Sequence, residues 1–373
     1  MRELLVTSNS KSHISYRKSN IMDYTLTLNG STYSRGELLD LVSENESSPK
    51  EYLRLFWTFI GEWFDDKEYL EVYTSGSTGR PKKIRVLKQH MVNSARMTCD
   101  ALGLQTGDSA LLCLSTGYIA GKMMVVRAMV AGLDLTLVEP SGTPTIDKDY
   151  TFCAMVPMQV FNLASSGHLV FSLNRIGKLI IGGGPISSDL KKMLEPLTVA
   201  CYSTYGMTET VSHVALRRLN GSCKQHAYYP MPNVAVSLNE EGCLVIDAPL
   251  VASTRLETND IGEISPDGSF KILGRLDNVI NTGGVKVSPE VVEAKLSGCS
   301  NVPFAISWLP DRQLGEKVVL VVEGNGDFIL NYKDILLPYE TPKKVVRVGK
   351  IPLTPNGKID RVALRMLIFA TEL

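Results

Sequence analysis

The stretch "YTSGSTGRPKKI" occupies Tyr73–Ile84. Between Thr74 and Gly79 lie four hydroxyl side chains (Thr74, Ser75, Ser77, Thr78) and two glycines (Gly76, Gly79), followed by Arg80, Pro81, Lys82 and Lys83. Glycines let backbone N–H groups turn inward and approach a ligand closely. The hydroxyls add neutral donors, and Lys82 and Lys83 add cationic ones, each worth roughly 1.5–3 kcal/mol in a charge-assisted hydrogen bond. The pattern points to an anion. Upstream, "YLEVY" alternates like a strand, and downstream "IRVL" starts another. The loop therefore joins two strands, and its backbone, rather than a helix N-terminus, would hold a phosphate. A flexible Ser/Gly turn is the plain alternative. A Walker A loop is excluded, because Pro81 stands where that pattern needs its second glycine. The triplet at Gly182–Gly184 follows an apolar strand, "KLII", but lacks dinucleotide-fingerprint spacing.

The remaining composition narrows the class. A chain of 373 residues suggests about two domains with ample core. Lys plus Arg equals Asp plus Glu, at 39 each, which gives no support for nucleic-acid binding or a polybasic membrane contact. No apolar run approaches the roughly 20 residues that span a bilayer. Seven cysteines without a C-x-x-C pair read as reduced thiols of a cytoplasmic protein rather than a disulfide or zinc framework. Residues 1–21 are polar and unlike the rest. They read as a disordered tail, or an upstream start ahead of Met22.

From Tyr69 to about Ser203 short apolar strands alternate with helical segments, among them "SALLCL", "GKMMVVRAMVAG" and "FCAMV". This is α/β layering around a largely parallel, buried sheet. From about Asn233 the texture changes to short strands and turns, a small antiparallel sheet or distorted barrel. A break near "GRLDNVINTGG" (Gly274–Gly284) precedes an α+β tail with a helix at "SPEVVEAKL", strands at "KVVLVVE" and "KVVRV", and a helix from about Lys358.

Four further clusters carry chemistry. In "STYGMTET", at the end of a strand, Tyr205 offers a ring for a base, Thr208 a hydroxyl for phosphate, and Glu209 a hard oxygen for Mg²⁺. The plain alternative is a helix N-cap at Thr208 with Glu209 beside it. In "TNDIGE", Asp260 could accept from ribose hydroxyls, or could be an Asp in a turn. "GRLDNVINTGGVKVSPEVVE" is the third cluster. In the fourth, "PLTPNGKIDR", Pro and Gly shape a tight loop presenting Lys358.

Together and in this order, the five stretches resemble the acyl-adenylate-forming superfamily of acyl-CoA ligases, luciferases and peptide-synthetase adenylation domains. The resemblance spans Tyr73 to Arg361. It implies a large N-terminal domain over 1–276 and a small mobile lid over 277–373, hinged at Asp277. It implies that Thr74–Lys82 holds the β- and γ-phosphates of ATP and that Gly183, Gly184 and Tyr205 bracket adenine. Thr208 would touch the α-phosphate, Glu209 would bind Mg²⁺, and Asp260 and Arg275 would grip the ribose. Lys358 would act in adenylation, and the loop at Gly283 and Gly284 would face CoA in the second half-reaction. Two features depart from the pattern. Asn259 stands where glycine is usual, a conservative change for a turn. The phosphate loop also comes early, so part of the usual sheet would be missing, and a partner or homo-oligomer could cover the exposed edge.

Within the superfamily, "YIAGKMMVVRA", "YGMTETVSHVALRRLNG" and "VINTGGVKVSPEVVE" resemble the o-succinylbenzoate–CoA ligases of menaquinone biosynthesis. That acid is an aromatic dicarboxylate, so one carboxylate is activated and the other needs a cation in an apolar pocket. Lys122 and Arg127 lie on one Met- and Val-rich helix, about 140° apart, so they point different ways. Lys122, nearer the glycine, is the favoured partner. His213 would line the acid pocket or be a packed histidine. Other aryl- or acyl-CoA ligases, and a non-enzymatic nucleotide-binding regulator, are the competing functions.

Overall fold

The computed structural model describes residues 21–73, 83–167, 170–297, 300, 302–324, 332, 334–354 and 358–372. The expected N-terminal tail, apart from Ile21, and the phosphate loop Thr74–Lys82 lie outside the described residues.

The chain opens with a hairpin, β1 (Leu26–Leu28) and β2 (Ser31–Tyr33), then α1 (Arg35–Asn45) and α2 (Glu51–Phe64). A capping box fixes the start of α1: Ser34 and Glu37 satisfy each other's backbone N–H groups. In α2, Phe56, Phe59, Ile60 and Trp63 recur at helical spacing and are buried. Next, β3 (Tyr69–Tyr73) pairs antiparallel with β4 (Lys83–Leu87), Tyr73 opposite Lys83, so the Thr74–Lys82 stretch does connect two strands.

The α/β layer follows: α3 (Lys88–Leu102), β5 (Ser109–Leu112), α4 (Ile119–Ala131), β6 (Asp134–Leu137), β7 (Tyr150–Met155), α5 (Pro157–Ser165), α6 (Val170–Leu173), β8 (Ile176–Ile181), α7 (Ser188–Leu194), β9 (Ala200–Gly206), β10 (His213–Arg218) and β11 (Tyr229–Pro230). Among the described residues nine strands form one sheet in the order β11-β10-β9-β8-β7-β5-β6-β1-β2. The six from β9 to β1 pair in parallel; β10, β11 and β2 are antiparallel at the two rims. The central strands β5 and β7 are largely apolar, because both faces of the sheet are covered there. Ala110, Leu112, Phe152, Ala154 and Ile180 face the core containing α2, α3 and α4. Leu111, Cys113, Cys153, Met155 and Ile181 face the core containing α5 and α7.

The second region is the antiparallel sheet β12 (Ala235–Leu238), β13 (Cys243–Asp247), β14 (Leu256–Ile264) and β15 (Phe270–Arg275). The third holds β16 (Ile280–Thr282), β17 (Val285–Val287), α8 (Pro289–Leu296), β18 (Phe304–Asp311), β19 (Gly315–Glu323), β20 (Lys344–Val348) and α9 (Arg361–Glu372). Its strands make a separate sheet with β19 at the centre.

Three expectations change. "TNDIGE" is not a turn: it lies within β14, with a register shift between Ile261 and Gly262. Thr208 does not cap a helix; it begins a short 3-10 turn with Met207 in the cap position. The last helix starts at Arg361, because Lys358 and Ile359 are held in a bridge, Leu353 opposite Ile359.

Candidate active site

The site forms where β8 and β9 end. Both run parallel, so their C-terminal ends open on the same side of the sheet. After β8 the chain turns through Gly182, Gly183 and Gly184. A methyl built on Gly183 would lie 3.6 Å from Val156, and one on Gly184 3.6 Å from Pro157 and 3.9 Å from Lys358 Cε. Lys358 thus reaches from the C-terminal region to the glycine turn. The Lys358 amide donates to Thr354 Oγ1 (3.2 Å), and the Thr354 amide donates to the Lys358 carbonyl (2.7 Å). Burial lowers the Lys358 pKa, the nearby Arg275 lowers it further, and Asp260 opposes both.

At the end of β9, Tyr205 is only 7% exposed, with its ring edge-on to Phe270 at 5.2 Å. Its hydroxyl donates to Asp260 Oδ2 (2.9 Å). Arg275 donates to Asp260 Oδ1 (3.3 Å) and to Asp277 Oδ2 (3.0 Å). Burial works to lower the Arg275 pKa, but the hydrogen bond to Asp277 and the two carboxylate charges outweigh it and raise it. The structure therefore brings Gly183, Gly184, Tyr205, Asp260, Arg275, Asp277 and Lys358 together. Gly283 and Gly284 lie apart, in the β16–β17 turn, both at positive φ (+61° and +84°).

Beyond β9 the backbone is unusual. Gly206 admits no side chain, since a Cβ there would strike the Ser212 carbonyl. Thr208–Thr210 make the 3-10 turn, and Val211 follows at φ +66°, ψ −55°. The Ser212 amide donates to the Thr210 carbonyl (2.7 Å), so Val211 is the centre of a strained γ-turn, uncommon for a β-branched residue. The turn leaves the Glu209 side chain exposed, with no hydrogen-bond or ion-pair partner among the described residues. No group of three His, Cys, Asp or Glu side chains able to hold a metal occurs among the described residues. Glu209 fits a Mg²⁺ ion that takes one carboxylate from the protein and its other oxygens from nucleotide and water.

The same turn aims Ser212 and His213 inward. Arg127, 1% exposed on α4, donates from Nη2 to Ser212 Oγ (2.9 Å); its Nε has no partner among the described residues. No carboxylate among the described residues pairs with it, and burial brings its pKa down to about 10. The hydrogen-bond directions fix the His213 tautomer. Thr98 Oγ1 donates to the Ser94 carbonyl (2.9 Å), so at 3.2 Å it accepts from His213 Nε2–H. Nδ1 is then an acceptor for the Ser212 hydroxyl (3.3 Å). Burial, with the Arg127 charge beside it, holds the His213 pKa well below the usual value. His213 is a packed, neutral histidine behind Arg127.

Lys122 is placed differently. It donates to Glu62 Oε2 (3.2 Å) and lies 4.7 Å above the Phe59 ring, which fastens α4 to α2. Lys83 likewise pairs with Glu71 across the β3–β4 hairpin at 2.5 Å. Ser212 and Val211 gave no signal in the sequence, since valine argues against positive φ and a serine beside a histidine is unremarkable.

The AMP-binding enzyme family model matches residues 63–253. The chain belongs to that family. An acyl-CoA synthetase (AMP-forming)/AMP-acid ligase II-like protein from Dyadobacter fermentans is 34% identical, with a TM-score of 0.60, covering 88% of this chain and 97% of that one. A probable 2-succinylbenzoate–CoA ligase of Mycobacterium tuberculosis is 27% identical, covering 82% of this chain and 86% of the relative. The O-succinylbenzoate–CoA synthetase of Bacillus subtilis, solved with ATP and a magnesium ion, shares the fold at a TM-score of 0.71 and 16% identity, over 92% and 97% of the two chains.

Proposed function

We propose that this AMP-binding enzyme is an ATP-dependent acid–thiol ligase that activates o-succinylbenzoate as acyl-AMP and passes it to CoA, a step of menaquinone biosynthesis. The observation that carries the reaction is Lys358 standing against the Gly183–Gly184 turn, in the field of Asp260 and Arg275. Relatives named as 2-succinylbenzoate–CoA ligases support the choice of acid.

A free carboxylate is a poor acyl donor because its leaving group would be hydroxide. Attack of the carboxylate on the α-phosphate of ATP forms the acyl–phosphate bond and expels pyrophosphate. CoA thiolate then attacks the acyl carbon and expels AMP. Asp260 keeps free lone pairs beyond those used by Tyr205 and Arg275, and these would receive the ribose hydroxyls. Thr208 and Lys358 would donate to the α-phosphate as negative charge concentrates there. Mg²⁺, held through Glu209, would supply further neutralisation of the phosphates. Thr74–Lys82 would hold the departing pyrophosphate. Residues 277–373 would act as the lid, turning at Asp277 so that Gly283 and Gly284 replace Lys358 at the site for thioester formation.

For the second carboxylate the geometry favours Arg127 over Lys122. Lys122 already has Glu62, whereas Arg127 is a buried cation whose Nε has no partner among the described residues. Burying a charge unpaired is costly, so a site built this way is completed by an anion. The test supplies Mg-ATP, CoA and a mixture of o-succinylbenzoate, benzoate, acetate, a fatty acid and D-alanine, with mass spectrometry of the CoA products. A dominant o-succinylbenzoyl-CoA peak is expected; another dominant thioester overturns the acid. Arg127→Met should raise KM for o-succinylbenzoate about 100-fold and leave benzoate turnover unchanged, while Lys122→Met should not discriminate between them.

A further inference from the structure

Residue 259 is asparagine where the superfamily pattern has glycine. It lies in β14 beside Asp260, and its side-chain Nδ2 donates to both carboxylate oxygens of Asp277, at 3.0 and 3.1 Å. Arg275 donates to the same carboxylate at 3.0 Å. Asp277 is thereby tied to β14 and β15. The next residue is tied the other way. Asn278 Nδ2 donates to Glu290 Oε1 of α8 (2.5 Å), and Glu290 also accepts from Ser288 (3.0 Å) and pairs with Arg361 of α9 (3.5 Å). The side-chain ties of these two neighbours thus differ, Asp277 to β14 and β15 and Asn278 to α8, although Ser288, which caps α8, also donates to the Leu273 carbonyl of β15 (3.2 Å).

We infer that Asn259 is a positioning residue: its amide clasps Asp277 and biases the chain toward the arrangement that puts Lys358 at the glycine turn. The inference rests on the ligase reading and on a pivot at Asp277. An amide donating to both oxygens of a carboxylate accepts one orientation of it. Rotation of the backbone at Asp277 swings that carboxylate away and breaks both bonds. Glycine at 259 would offer no such donor and would leave the Asp277 carboxylate with its bond from Arg275. The clasp therefore favours adenylation and restrains the second half-reaction.

The test uses the full chain and two separate assays. One is ATP–pyrophosphate exchange with o-succinylbenzoate; the other is thioester formation from preformed o-succinylbenzoyl-AMP and CoA. Asn259→Ala should slow exchange about 5-fold and speed thioester formation by a similar factor, the scale of one hydrogen bond to a charged group in water. Asn259→Asp, which sets two like charges together, should move both rates further in the same directions. The pair Asn259→Asp with Asp277→Asn rebuilds the amide–carboxylate contact in reverse and should return both rates toward wild type. A purely structural role would lower both rates together. If wild type turns over and the single variants lower both rates or change neither, the clasp is overturned and the ligase reading stands. Wild type that forms neither acyl-AMP nor thioester overturns the ligase reading itself.

Discussion

His213 shows how a single side chain reports its surroundings. It is 5% exposed, its two ring nitrogens are spoken for by Thr98 and Ser212, and Arg127 sits beside it, so protonation is disfavoured in the folded chain. The unfolded chain takes up a proton near the ordinary value of 6.5. Stability is therefore fully present above that pH and is lost as pH falls below it, by up to about 1.4 kcal/mol per pH unit from this group. Urea midpoints measured from pH 7.5 down to 5 should show the slope, and His213→Gln should flatten it. At this scale the sequence was informative about chemical type and silent about partnership. It showed that two cations shared an apolar helix and that they pointed apart. It did not show that Glu62, on a helix remote in sequence, would take Lys122 and leave Arg127 without a carboxylate.

Elements place these residues, and one junction does so with unusual economy. Lys358 precedes α9, whose Arg361 donates to Glu293 Oε1 and Oε2 (2.8 and 2.7 Å) and to the Ile306 carbonyl (2.8 Å). Glu293 also accepts from the Ile306 amide (2.7 Å), so α8, β18 and α9 meet at one largely buried ion pair. Breaking such a pair leaves a charge uncompensated, and Glu293→Ala should cost about 3 kcal/mol in urea unfolding. It should also weaken adenylation, because the loop carrying Lys358 loses its anchor. The strands and helices of the α/β layer were legible from apolar runs and their punctuation, "SALLCL" and Pro157 among them. The γ-turn at Val211 was not, because tertiary packing overrides a local preference there. The placement of Asn259 and Asp260 in a strand was hidden for a related reason: Thr-Asn-Asp is turn chemistry until cross-strand pairing of Asp260 with Arg275 absorbs it.

For the whole molecule, alternating apolar strands and helical segments foretold the α/β layer with a largely parallel sheet and the antiparallel sheet after it, while the strand order had to come from the structure. A two-step enzyme that exchanges one set of groups for another makes a separable prediction. Lys358→Ala should lower adenylation about 10²–10³-fold in pyrophosphate exchange, yet retain most thioester formation from preformed acyl-AMP. Equal loss in both assays would remove Lys358 from its assigned half-reaction. The large sheet was expected to be left with an exposed edge. Among the described residues its rims are β2, three residues long, and β11, two residues long, both antiparallel to their neighbours. Unpaired strand borders are the templates on which chains polymerise, and borders this brief offer too few free amides and carbonyls to seed a ladder. The consequence is colloidal: crowding or storage at high concentration should not drive this sheet into fibrils from its sides.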